Sequence, residues 1–256
     1  MAGRFAVSLA AADVLGERLG IDLRVFPLQI PHVGRTDAER QQVATTALGD
    51  LAGGGLAYNG RLTPAVADAL TVLARYSVAV GMILVFEGGG QQVLVRLGTD
   101  GRLATLAVQQ AETIHLEFVR PTGLVPALMA CVPMARQYPG SAVVFPRDDE
   151  SHAETRNGDV NDIRVTEEAR PAMHGYAAQR ETARTMLQRR RHCAGMITIF
   201  GRRNQHTEPL VWFDTDIGRF TEHARAGADG QIWESYTPAD NARLAQQVGE
   251  LLAGVC

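Results

Sequence analysis

Apolar positions along the first 75 residues fall at helical spacing between strong start and stop signals. Phe5 to Val7 forms a short strand-like piece that runs into Ser8, a good N-cap for a helix carrying Leu9, Val14, Leu15 and Leu19. Gly20 closes that helix, and Leu23 to Ile30 reads as an extended segment. Thr36-Asp37-Ala38-Glu39 then has the form of a capping box. It opens a helix with Val43, Ala47, Leu48 and Leu51, which Gly53, Gly54 and Gly55 stop. Thr63 and Pro64 supply N-cap and N1 of a third helix, whose apolar stripe is Val66, Leu70 and Leu73.

From Tyr76 the period shifts toward two, which predicts strands over 78–86, 93–97, 103–108 and 114–119. A helix over 124–135 follows, with Pro126 in its first turn and Pro133 near its end. The polar stretch from Phe145 to Asp162 contains Asp148-Asp149-Glu150 and Asn157-Gly158, and predicts an exposed linker over about 146–164 that a protease should cut first. Thr166 or a neighbour starts an Arg-rich helix through Met173, Tyr176, Met186 and Leu187 to about Arg191. Four more strands are predicted at 195–200, 210–215, 219–225 and 232–236. Thr237, Pro238 and Asp240 open a last helix with Leu244, Val248, Leu251 and Leu252 on one face.

The two halves echo each other. Gly81-Met82-Ile83-Leu84-Val85-Phe86 returns as Gly195-Met196-Ile197-Thr198-Ile199-Phe200, and Thr99-Asp100-Gly101-Arg102-Leu103 returns as Thr215-Asp216-Ile217-Gly218-Arg219-Phe220. Two matches in the same order and at nearly equal spacing imply a repeat of helix, four strands, helix. The expected fold is α+β: a large, mostly antiparallel β-sheet with flanking helices on one face and a pseudo-two-fold. It is read as one domain over 1–256, with halves at about 36–135 and 165–254.

Composition narrows the chemistry. The 25 basic residues are all Arg, so a Walker A loop, a kinase strand lysine and a pyridoxal phosphate Schiff base are all excluded. The net charge is −3, which offers phosphate backbones no overall attraction. Arg4 alone precedes the first apolar stretch, so no signal peptide is expected, and no window approaches the ~20 apolar residues of a membrane span. Cys131, Cys193 and Cys256 are odd in number and far apart, which points to reducing cytosol rather than a disulfide framework. His32, His115, His152, His174, His192, His206 and His223 form no metal-ligand spacing. None of the five serines sits in a nucleophile elbow, and the glycine runs at 53–55 and 88–90 lack the order of a phosphate cradle.

Asp214-Thr215-Asp216 has the form of a two-carboxylate cation site, yet its counterpart in the repeat is a hairpin turn, where Asp is at home. Neither a catalytic centre, a metal nor a cofactor is expected. Arg189-Arg190-Arg191 and Arg202-Arg203 are the best case for a nucleic-acid partner, with a solvated basic face as the plainer reading. In Leu210-Val211-Trp212-Phe213 both alternating faces are apolar. Such a strand is either central and covered on both sides or presents a partner-binding face, and these four residues are the candidate binding site.

Two long runs carry a family resemblance. The run "VGRTDAERQQVATTALGDLAGGGLAYNGRLTPAVADALTVLARY" and the run "WFDTDIGRFTEHARAGADGQIWESYTPADNARLAQQVGELLAG" resemble the two ends of EspG proteins of type VII (ESX) secretion. In the second, Asp214-Thr215, Gly218-Arg219, Asp229-Gly230, Trp233, Thr237-Pro238 and Leu251-Leu252 fall in family order. The resemblance implies the same α+β fold and a cytoplasmic, non-enzymatic chaperone from an actinobacterium. Such a chaperone binds the helical tip of the PPE-like subunit in a PE/PPE-like pair and keeps it soluble for export, without nucleic acid, membrane or cofactor. The alternatives are a ligand-sensing or nucleic-acid-binding regulatory protein.

Overall fold

The computed structural model describes residues 3–88, 92–147, 176–202, 205–228 and 230–255. Strand β1 (Arg4–Ser8) runs into α1 (Leu9–Leu19), whose N-cap Ser8 accepts from the Ala11 amide and whose C-cap Gly20 is left-handed at φ 64°. Helix α2 (Asp37–Gly53) begins with the complete capping box of Thr36 and Glu39. A two-residue hairpin, β2 (Ala57–Tyr58) and β3 (Arg61–Leu62), leads to α3 (Pro64–Ala74). The meander β4 (Val78–Phe86), β5 (Gln92–Thr99), β6 (Ala104–Gln110) and β7 (Thr113–Val119) follows, then a single 3-10 turn and the short helix α4 (Leu124–Met129). The rest of the described chain is β8 (Val143–Pro146), α5 (Ala177–Leu187), β9 (Arg191–Phe200), β10 (Leu210–Thr215), β11 (Gly218–Ala226), β12 (Ile232–Ala239) and α6 (Asn241–Ala253).

Ten strands form one sheet in the order β1-β7-β6-β5-β4-β9-β10-β11-β12-β8. The repeated hexapeptides lie in the neighbouring antiparallel strands β4 and β9, with Gly81 opposite Thr198 and Leu84 opposite Gly195. Outward from that pair, chain order runs β5, β6, β7 on one side and β10, β11, β12 on the other.

The chain divides into two units. The first comprises Met1–Met134, Cys193–Leu210 and Asn241–Cys256; the second comprises Ala135–His192 and Val211–Asp240. In the first unit, Phe5 and Val7 of β1, Leu15 of α1, Leu48 of α2, Leu70 of α3 and Leu116 of β7 share one core on one face of the sheet. Helix α4 lies over the opposite face, where Ala127 and Cys131 approach Val108 and His115. Helices on both faces, not on one as the sequence suggested, explain why Val80, Met82 and Leu84 on one face of β4 are as buried as Ala79 and Gly81 on the other.

Several boundaries differ from the sequence reading for identifiable reasons. Thr237 and Pro238 belong to β12, opposite Thr221 and Phe220, so the last helix starts later, at Asn241. Helix α4 stops at Met129, well before Pro133. Phe145 and Pro146 pair with Glu234 and Trp233 as part of β8, so the expected linker gives up its first residues to the sheet. From residue 148 that linker lies outside the described residues, as do the start of the Arg-rich helix, His152, His174, Arg203 and Cys256.

Candidate functional site

The strand first singled out is mostly interior. Leu210, Trp212 and Phe213 are buried, and only Val211 keeps partial exposure. Phe213 stacks on Phe220 at 5.4 Å between centroids and meets Tyr236 edge-on at 6.2 Å. Tyr138 lies 4.9 Å from Phe220, and Phe145 stacks on Tyr236. These aromatics form the core of the second unit, so the both-sided apolar pattern of β10 reports burial rather than an open face.

Asp214-Thr215-Asp216 is used up by the hairpin. Arg219 donates through Nε to Asp214 Oδ1 at 2.6 Å and through its second nitrogen to Oδ2 at 2.8 Å, a buried two-point pair. Thr215 Oγ1 donates to the Gly218 carbonyl, and Asp216 faces Arg189 at 3.6 Å. Among the described residues no group of three His, Cys, Asp or Glu could hold a metal ion. Two further arginines of the basic clusters are engaged: Arg191 lies over the Phe213 ring at 5.0 Å, and Arg202 donates to Ser77 Oγ at 3.2 Å. Burial, with Glu117 adding to it, pushes the Cys131 thiol up to about 11, the opposite of an activated nucleophile. A groove of about 600 Å³ runs beside it, with the Arg4–Glu117 ion pair at 2.9 Å in its lining.

The more open apolar surface lies in the first unit, where β4 and β9 pair. Ile83 and Val85 alternate with Met82 and Leu84, and Met196 and Phe200 alternate with Ile197 and Ile199. The second member of each set is fully buried, whereas Ile83, Val85, Met196 and Phe200 are half-buried. Next to them the segment between α1 and α2 crosses the sheet as a strap. Gln29 exchanges two hydrogen bonds with Gln109 at 2.8 and 3.0 Å, and the ring of Phe26 lies over Gly81, 41% exposed. A Cβ at Gly81 would stand 2.6 Å from that ring, so glycine is what lets the strap approach.

Beneath Phe26 sits Arg96, 1% exposed. It donates to the Phe26 carbonyl at 3.1 Å and the Leu73 carbonyl at 3.4 Å, and its guanidinium lies 4.7 Å from the Tyr76 ring and 5.2 Å from the Phe200 ring. Burial pulls its pKa below the ordinary value, opposed by hydrogen bonding to Tyr76. The base of the strap is tied by a second network that no motif announced. Buried Asp13 on α1 pairs with Arg24 and with Arg40 at 2.8 Å, accepts from the Val33 amide at 3.0 Å, and Arg40 also holds Glu17. Burial works against the ionised Asp13, but the Val33 amide and the two arginines outweigh it and leave its pKa lowered. Neither network has a spacing signature, because each joins residues brought together only by the strap.

The profile of the EspG family matches residues 8–250. The chain belongs to the EspG family. A search of curated protein sequences finds no match. Among solved structures this EspG-family chain is similar to the type VII secretion system chaperone EspG5 of Mycobacterium tuberculosis, in a structure with the PE25-PPE41 dimer. The TM-score is 0.66 at 16% identity, over 99% of this chain and 97% of that one. That likeness speaks for the fold, and it agrees with the α+β architecture and large antiparallel sheet expected from the sequence. No described helix is long and apolar enough to cross a membrane.

Proposed function

We propose that this EspG-family chain is a cytoplasmic secretion chaperone that holds the helical tip of a PE/PPE-like pair, and that it is not an enzyme. The observation that carries the reading is the family match over 8–250, supported by the fold shared with a chaperone seen with PE25-PPE41. The surface offered for the client is exposed Phe26 with half-buried Ile83, Val85, Met196 and Phe200 on the strap side of β4 and β9. From the strand first expected to bind, Val211 is the side chain with partial exposure. A client tip that aggregates when bare is matched by such a face through apolar area, not net charge.

The test is calorimetry with the PE/PPE-like pair from the same genome, using Phe26→Ala and Met196→Ala beside the wild type. Truncating an anchor should cost about 2 kcal/mol, roughly a thirtyfold weakening. Unchanged affinity in both variants, with melting curves confirming their fold, would move the interface elsewhere.

A further inference from the structure

We propose that Arg96, with Arg202 at the rim, makes this surface selective for a client segment that sets a carboxylate beside an apolar side chain. The inference rests on the chaperone reading and deepens it.

Arg96 is the unusual member of the surface. A guanidinium cannot shed its charge, and removing it from water is costly unless a counter-charge is supplied. Here the side chain meets two carbonyls and the rings of Tyr76 and Phe200, and among the described residues no carboxylate pairs with it. An apolar side chain of similar length would fill the space under Phe26 at lower cost, so stability alone does not account for the charge. Its field in this low-dielectric setting leaves the protein past Tyr76 and Phe26, the partly exposed groups that cover it. Ser77, the residue after Tyr76, is where Arg202 anchors, and that exposed arginine has no carboxylate partner among the described residues.

The patch therefore offers an apolar floor with one sign of charge. A client helix that packs an aliphatic or aromatic side chain on Phe26 and Met196 and carries Asp or Glu one turn away would satisfy both features. An otherwise similar helix with Lys or Arg there would be rejected, which is how a chaperone separates related clients.

The experiment is a double-mutant cycle by calorimetry between this chain and the PE/PPE-like pair from the same genome. Arg96→Met and Arg202→Gln are each measured against client variants in which each Asp or Glu of the tip is changed to its amide. Thermal melts report whether Arg96→Met folds, and Arg202→Gln, at an exposed position, serves if it does not. The proposal predicts that both arginine variants weaken binding tenfold or more, and that one client amide variant removes most of that loss. It also predicts a wild-type salt dependence larger than that of either variant. If the pair binds wild type and variants alike, the selectivity proposal is overturned while the chaperone reading stands; if the pair does not bind wild type, both fall.

Discussion

At the residue scale, two carboxylates respond to acid with opposite signs. Asp13 has a lowered pKa, so its contribution is present above the unfolded carboxyl value of about 4 and is lost as pH falls through the folded value. Asp13→Asn should cost roughly 2–3 kcal/mol near neutral pH, and the gap to wild type should narrow in urea melts at pH 3. Glu222 is the reverse case, raised by burial and then by Glu234. The folded state binds that proton more tightly, so its favourable contribution exists below the unfolded value and disappears as pH rises through the folded one. Glu222→Gln should leave stability at pH 7 equal or raised by up to about 1 kcal/mol, and a loss greater than that in the same melts would contradict this assignment. Gly98 makes the steric case: an added Cβ would sit 2.4 Å from the Val72 carbonyl, which α3 holds in place. Gly98→Ala should destabilise by about 2–3 kcal/mol, more than Gly81→Ala, where the closest atoms belong to a partly exposed side chain rather than to backbone.

At the element scale, what the sequence revealed follows from which forces are local. Capping is local, so Ser8, the Thr36–Glu39 box and Gly20 placed α1 and α2 correctly. Period-two runs located β4 to β7 and β9 to β12, and in β4 both alternating faces are apolar because burial on two sides leaves little else for Val, Ile and Leu to do. The same feature makes β10 a candidate binding strand, whereas in the fold Trp212 is buried and Phe213 packs on Phe220 and Tyr236, which only register reveals. Pro238 misled in the other direction, since a Thr-Pro pair that suits a helix start is also tolerated where a strand ends. The strap was legible only as an extended run, and its contacts with Gly81, Arg96 and Gln109 depend on tertiary approach. The Asp214–Arg219 pair is testable at this scale. Asp214→Asn should cost about 3 kcal/mol in denaturant melts, because it removes the counter-charge from a buried guanidinium in the β10–β11 hairpin.

At the scale of the whole molecule, an apolar client surface in a protein of net charge −3 stands against the alternative that its 25 arginines serve phosphates. These readings differ most in their response to salt. A nucleic-acid partner engaging several phosphates would lose orders of magnitude in affinity between about 50 and 200 mM salt. An apolar interface with one or two charge pairs should change by about threefold or less. The deciding measurement is calorimetry of the purified chain with the PE/PPE-like pair from its own genome at those two salt concentrations. An apolar client surface should give saturable binding at both, nearly equal in strength and with a negative heat-capacity change. Absence of binding to the pair, or a steep loss of affinity with salt, would contradict it.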